Sequence, residues 1–400
     1  MKRFAALLFM IFLLGGCLLP REVTRDTILK DERPLWESTS PIEIEEEEEE
    51  QEQFSQDEKA NLLRGQRDYY AFSTLGVTEQ NLYVEMLHAL TGYVEEMEVS
   101  TLDTEEIDRV FQCILLDHPE IFYADGYSFV KYTLGEEVRK LTFTGTYIYD
   151  REEKQIREEL LEEKINKALE EVPKEASDYD KVKYVYEWIV RHTEYDREAE
   201  DNQNICSVFL GGRSVCQGYA KAAQLLLQRL GIPATLVTGT VDNAEGHAWN
   251  LVSIDHEYYY MDVTWADASY LLKNEEGIIG QQLPEISYDY LCVTTEELAK
   301  THSFSDLIPL PECTAVKANY YVREGAWFTE VDTEQLKSLV DRYYEEGRET
   351  LTIKCADEDV YRRMLEELLD RQQIFNYLHS PDDRILYTDS AGQMSITFWL

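Results

Sequence analysis

Apolar positions recur along this chain with two different periods, and the places where the period changes mark its segments. Between about residues 61 and 172, Val94, Ile107, Val110, Phe111 and Ile114 recur at helical spacing. Strand-like runs follow near residues 127–133 and 139–149, then a charged helix with Ile156, Leu160, Ile165 and Leu169 along one face. Ser177-Asp178 reads as a helix start, and Tyr179, Val182, Val185, Tyr186 and Ile189 give that helix a stripe. A Gly-rich turn leads into a further helix, with Ala220, Ala223, Leu227 and Leu230 on one face and Gly231 and Pro233 as its stop. Residues 247–254 and 258–263 read as two strands. After Pro311 the order is strand (326–331), helix (333–346), strand (350–355), helix (357–370) and two last strands (385–388, 394–399). That interleaving predicts a small α/β domain with helices on one face of a sheet.

Composition adds a tether and a charge. Lys2 and Arg3 precede an apolar run from Phe4 to Leu14, too short to span a bilayer and suited to a signal peptide. The run ends in Leu14-Gly15-Gly16-Cys17, which resembles a bacterial lipobox; the resemblance implies cleavage before Cys17 and lipid attachment to its sulfur. From residue 18 to about 60, prolines, serines and the consecutive glutamates Glu45 to Glu50 predict a solvated tether. The expected domains are therefore a leader (1–16), an acidic tether (17–60), an N-terminal α+β domain (61–172), a core (173–315) and a C-terminal α/β domain (316–400). The formal net charge of −41 argues against nucleic-acid partners, because such a field repels phosphate backbones. Apart from Cys17 and Cys216, five cysteines remain, an odd number that implies no complete disulfide framework. No C-x-x-C, HExxH or Walker-type loop occurs, so neither a metal nor another cofactor is expected.

The chemistry concentrates in three residues. Cys216 follows Gly211-Gly212-Arg213-Ser214-Val215, in the first turn of the predicted helix. Helix-terminal N–H groups there favour a thiolate and can receive a developing oxyanion. His247 begins His247-Ala248-Trp249-Asn250, and Asp262 begins Asp262-Val263-Thr264-Trp265. With Asp255-His256 as a two-residue turn, Ile254 faces Glu257, and the same register puts Asp262 opposite Trp249. Strand alternation then brings His247 and Asp262 to one face as diagonal neighbours; a three-residue turn would separate them. The expected roles are nucleophile for Cys216, general base and acid for His247, and orienting carboxylate for Asp262. Trp249 and Trp265 flank this group; with Tyr219 they are the expected substrate contacts, core packing being the alternative for the two tryptophans. Asn250 falls on the face opposite His247, and His192, His256, His302 and His379 are expected to be surface or packing residues.

Ser214-Val215-Cys216-Gln217-Gly218-Tyr219-Ala220, Gly231-Ile232-Pro233, Gly239, His247-Ala248-Trp249-Asn250 and Asp262-Val263-Thr264-Trp265 together resemble the transglutaminase-like superfamily over about residues 177–321. The resemblance implies a papain-like α+β core and thioester chemistry on the cysteine. It also implies a peptide, protein or cell-wall peptide substrate, met at the extracytoplasmic membrane face. A fold-retaining peptide- or carbohydrate-binding scaffold is the alternative, suited by the 27 tyrosines of the chain.

Overall fold

The structure, a computed structural model, describes residues 54–134, 137–241, 245–267, 284–378 and 384–400. Cys17, the leader, most of the tether and His379 lie outside the described residues. The chain divides into two compact units after Gln155.

In the first unit, helix α1 (Gln56–Gly65) starts inside the expected tether. The correction has a local cause: Ser55 and Glu58 form a reciprocal capping box, which satisfies two backbone donors at the helix start. Helices α2 (Tyr70–Thr74), α3 (Val77–Gly92) and α4 (Thr104–Asp117) follow. They accompany a sheet of three antiparallel strands, β1 (Met97–Val99), β2 (Ala124–Leu134) and β3 (Glu137–Tyr147), with β3 central. Ile107, Val110, Phe111 and Ile114 are buried on α4, as the spacing predicts, while Val94 lies beyond α3 in a turn. Asp117 is fully buried and accepts from the Ala71 and Phe72 amides and the Tyr83 hydroxyl, so its carboxylate closes the start of α2.

Helix α5 (Arg151–Glu170) runs across the division. The pairs Arg229–Glu162 (3.0 Å) and Arg157–Asp201 (3.2 Å) fasten it to the second unit, where an expected boundary at residue 172 would have cut it off. Its buried face is Leu161, Ile165 and Ala168, whereas Ile156 and Leu160 stay about half exposed. The predicted stripe was thus rotated. Helix α6 (Asp178–His192) starts at the Ser177 cap and buries the predicted Tyr179, Val182, Val185, Tyr186 and Ile189. Two short parallel strands, β4 (Glu194–Tyr195) and β5 (Arg213–Ser214), then deliver the chain to α7 (Cys216–Arg229).

The centre of this unit is a five-stranded antiparallel sheet. Its strands β6 (Ala234–Val241), β7 (Glu245–Ile254), β8 (Glu257–Met261), β9 (Leu291–Val293) and β10 (His302–Phe304) take the order β10-β6-β7-β8-β9. The β7–β8 turn is the two-residue one: Asp255 and His256 have φ of 53° and 67°, the paired left-handed geometry whose twist matches a hairpin, and Ile254 faces Glu257. Helix α7 packs on β7 and β6, and Asn250 Nδ2 donates to the Ala220 carbonyl at 3.0 Å, which ties β7 to that helix. Gly239 sits where β6 meets β10. A Cβ there would fall 2.0 Å from the Ser303 carbonyl oxygen and 2.6 Å from the Trp249 ring.

The C-terminal region follows the predicted order. Strands β11 (Trp327–Phe328), β12 (Thr350–Cys355), β13 (Tyr387–Ser390) and β14 (Ser395–Trp399) form a sheet ordered β11-β12-β14-β13, with β11 and β12 parallel. A helix at Thr333–Glu345 and another at Glu358–Leu365 accompany it. This region is not split from the core. Lys354 pairs with Asp289 (3.1 Å), and Glu324 takes both Lys183 (2.8 Å) and Arg348 (3.2 Å).

Gly239→Ala must push either the Ser303 backbone or the Trp249 ring aside. It should lower the stability of the second unit by about 2 kcal/mol, at the scale of core overpacking. Urea denaturation followed by tryptophan fluorescence measures this, and an unchanged midpoint would refute the close β6–β10 approach.

Candidate functional site

Each of the three predicted side chains is delivered by a different device. Cys216 is the first residue of α7, and no side chain caps that helix, whereas α1 and α6 carry capping boxes. Its N-terminal amides are therefore left without a capping oxygen at the residue that carries the thiol. The helix can start this close to the preceding chain because Gly218 has no side chain: a Cβ there would meet Ser214 Oγ at 2.0 Å and Ser207 Oγ at 2.8 Å. His247 stands on β7, paired with Gly239. Asp262 follows the last residue of β8, and the observed register carries it opposite Trp249.

His247 Nε2 and Asp262 Oδ2 lie 2.7 Å apart, both residues buried. The Cys216 side chain lies close enough to the same imidazole to favour its protonated form. With Nε2 committed to the carboxylate, Nδ1 is the ring nitrogen left for the thiol. Burial alone would lower the His247 pKa, but the Asp262 carboxylate, its hydrogen bond and the Cys216 side chain outweigh it and raise the value to about 10. Burial would likewise raise Asp262; the two imidazoles beside it, His247 foremost, hold it well below the usual carboxylate range.

The sequence did not single out the fourth member. His302, on β10, is buried and places Nε2 3.0 Å from the same Asp262 Oδ2. The reading of His302 as a surface or isolated packing residue is corrected. Asp262 Oδ1 meanwhile accepts from the Thr264 amide (2.9 Å) and the Trp265 amide (3.2 Å). The carboxylate thus receives four donors, which is what an ionised acid without water requires. His247, Asp262 and His302 also form the metal-type cluster found among the described residues, with donor atoms within 4.8 Å of one another. Both nitrogen–oxygen separations are hydrogen-bond lengths, and one carboxylate oxygen serves both rings, so the donors are turned on each other.

The three expected substrate contacts are corrected. Trp249 is completely buried, and its ring meets His302 edge-on at 5.0 Å and His247 at 6.0 Å. Trp265 is buried against His302 (5.0 Å), Tyr290 (5.0 Å) and His247 (6.2 Å). Tyr219 is inaccessible, its hydroxyl donating to Asp267 Oδ2 (2.6 Å), with the Thr193 carbonyl as a second acceptor 3.0 Å away. The tryptophans wall the imidazoles, and the tyrosine braces α7. Tyr195 is buried and close enough to Cys216 for the thiol's charge to add to the rise that burial gives its hydroxyl.

Cys216 is partly accessible, whereas Cys113, Cys206, Cys292, Cys313 and Cys355 are buried. Burial pushes Cys113, Cys206 and Cys355 up to about 12 and Cys313 up to about 11, and raises Cys292 further. Among the described residues, Cys216 is thus the thiol set apart for reaction.

Residues 166–263 match the family model described as the Transglutaminase-like superfamily. This region is transglutaminase-like. The match takes in Cys216, His247 and Asp262, and stops before His302. The chain is also 28% identical over 118 residues to the Kyphoscoliosis peptidase of Mus musculus, covering 25% of this chain and 18% of that protein. It therefore spans less than a fifth of the length of that curated relative. Among solved structures, a TGase crystal structure aligns with a TM-score of 0.26 and 17% identity, over 40% of this chain and 60% of that one. A candidate cysteine protease from Cytophaga hutchinsonii aligns with a TM-score of 0.24 and 16% identity, over 34% and 61%.

The His247–Asp262 pair has a testable pH signature. The depressed Asp262 contributes fully above the ordinary carboxylate value of about 4, and its contribution fades as pH falls below it. The raised His247 contributes fully below the ordinary imidazole value of about 6.5, and its contribution fades as pH rises toward its folded value. Both shifts describe one interaction, counted once. Asp262→Asn should cost about 3 kcal/mol near pH 6. The gap to wild type should narrow toward both pH 3 and pH 10 in melting experiments; a gap constant across that range would rule out an ion pair.

Proposed function

We propose that this chain is a cysteine acyl-enzyme catalyst that opens an amide bond in a peptide or cell-wall peptide. Its chemistry runs through Cys216, His247 and Asp262. One observation carries the reading: the imidazole bonded to Asp262 at 2.7 Å also meets the accessible thiol at the uncapped start of α7.

In this reading the Cys216 sulfur, its proton passed to His247, attacks the amide carbonyl carbon. The oxygen takes up the negative charge against the first amides of α7. The tetrahedral adduct collapses, the C–N bond breaks, and His247 gives its proton to the departing amine, leaving a thioester on Cys216. Water, or a second amine, then attacks the thioester with His247 again accepting the proton, and the acyl group departs as acid or new amide. Asp262 stabilises the imidazolium throughout and fixes the ring.

The same proposal places the enzyme on the outer face of a membrane, held by lipid on Cys17. The basic and apolar leader and the small residues before Cys17 support this. Among the described residues no helix is long and apolar enough to cross a membrane.

Iodoacetamide under native conditions should modify Cys216 to about one equivalent, as the sole non-buried thiol among the described residues. Peptide mapping by mass spectrometry reads the site. Cys216→Ala should abolish that label and any thioester trapped from peptide amides, and His247→Ala should slow both by at least about 100-fold. A native Cys216 that resists labelling, with no acylated species from any peptide amide, would return the chain to the class of binding modules.

A further inference from the structure

Asp262 Oδ2 serves two imidazoles, and the acyl-enzyme reading uses only one. We propose that His302 is a positioning residue for this site, locked in a single tautomer by a one-way hydrogen-bond chain that begins at Lys354 and Gln393 of the C-terminal sheet. The proposal rests on the reading of Cys216, His247 and Asp262 given above, and adds the C-terminal region to the machinery that supports them.

The direction of the chain follows from its two ends. An ammonium can only donate, and an ionised carboxylate can only accept. Lys354 Nζ donates to Gln393 Oε1 (3.0 Å) and to Asp289 Oδ1 (3.1 Å). This fixes the Gln393 amide with its nitrogen turned toward Tyr290, whose oxygen accepts from Nε2 at 2.8 Å. With its oxygen accepting from Gln393, the Tyr290 hydroxyl can donate to Thr301 Oγ1 at 3.2 Å, a contact in which either oxygen can be the donor. The Thr301 proton is left for His302 Nδ1 at 2.8 Å, the alternative acceptor, the Leu298 carbonyl, lying at 3.4 Å. At the other end, Asp262 Oδ2 needs the His302 proton on Nε2. The carboxylate end demands this tautomer, and the Lys354 end is satisfied by it.

The surroundings keep that choice sharp. His302, Tyr290 and Lys354 are buried, and the His302 ring is boxed by Trp249, Trp265 and Tyr290 at 5.0, 5.0 and 5.5 Å. Thr301 and Gln393 are half-buried, but at His302 itself water is not on hand to replace a misdirected proton, so the buried end of the network is either satisfied or costly. The opposite tautomer would turn the Nε2 lone pair against the carboxylate at 3.0 Å. It would push Asp262 off the line on which His247 needs it. Partners outside the reacting groups commonly matter in this way, because they orient the groups that react.

The test uses the full chain. Nitrogen-15 NMR of histidine-labelled protein, with the His302 signals assigned by loss in His302→Gln, should show a bare Nδ1 and a protonated Nε2. Thr301→Val removes the hydroxyl at nearly constant volume and should slow iodoacetamide alkylation of Cys216 by about 10-fold. Thr301→Ser should restore the rate to within about twofold, and Gln393→Leu should slow it by about threefold. A His302 proton on Nδ1 in wild type, or wild-type alkylation in Thr301→Val, would overturn the proposal. Should Thr301→Val fail to fold, the wild-type tautomer alone decides. Failure of wild type to form any acyl-enzyme would sink the catalytic reading, whereas the tautomer and the alkylation rates would still decide whether His302 positions Asp262.

Discussion

A single buried carboxylate organises the second unit. Asp262 has no exposure to solvent, so its charge must be met inside the protein or it would be neutralised. Two backbone amides from its own turn and two imidazoles from different strands meet it. These donors come from the segment after β8, from β7 and from β10, which lies on the far side of β6 from β7. The sheet must therefore be complete, with β10 in register on β6, before the carboxylate is satisfied. Fold and site are coupled at this atom: a sheet that loses β10 leaves a buried charge short of a donor.

That coupling explains the spacing at Gly239. A side chain there would separate β6 from β10 or displace Trp249, and either change moves His302 relative to Asp262. The aromatic box around the imidazoles has the same logic. Trp249 and Trp265 exclude water, which strengthens every charge interaction inside and makes the proton positions depend on protein partners alone. Their bulk serves the electrostatics of the site and leaves recognition of a substrate to other walls.

What the sequence could disclose follows the range of the interactions involved. The β7–β8 register depends on two adjacent turn residues and on alternation, both local, so the meeting of His247 and Asp262 was legible from the residues between them. The C-terminal order of strands and helices was legible for the same reason. His302 was not: it sits on a three-residue strand whose place beside β6 is set by chain folding far from either partner. Tyr219, Trp249 and Trp265 show a second limit. Alternation tells which face a residue occupies, but not whether another element covers that face, and here Asp267, β10 and Tyr290 do. At the tether, a strongly acidic run masked the local Ser55–Glu58 cap that starts α1. Helix α5 failed differently, since its charged sequence offers two apolar faces and only packing chooses between them.

The uncapped start of α7 carries the remaining argument. Capping a helix with serine, threonine or aspartate contributes about 1 kcal/mol, and α1 and α6 have such caps. Val215 offers α7 no such oxygen, so the helix forgoes that stabilisation at the one end where Cys216 stands. A capping oxygen would occupy the amides and repel a thiolate or an oxyanion; its absence keeps them free for negative charge arriving from outside. The stability lost there is offset by the deep packing of the rest of the helix, where Tyr219, Ala220, Ala222, Ala223, Leu226 and Leu227 are fully buried. The Asn250 bond to the Ala220 carbonyl pins the same turn to β7, so the amides are unfilled and yet held in place. A first turn that was both uncapped and loose would let the thiol drift from His247; one that was capped would be rigid and already occupied. The combination found here suits a site that must present fixed dipoles to a charge that forms only during reaction.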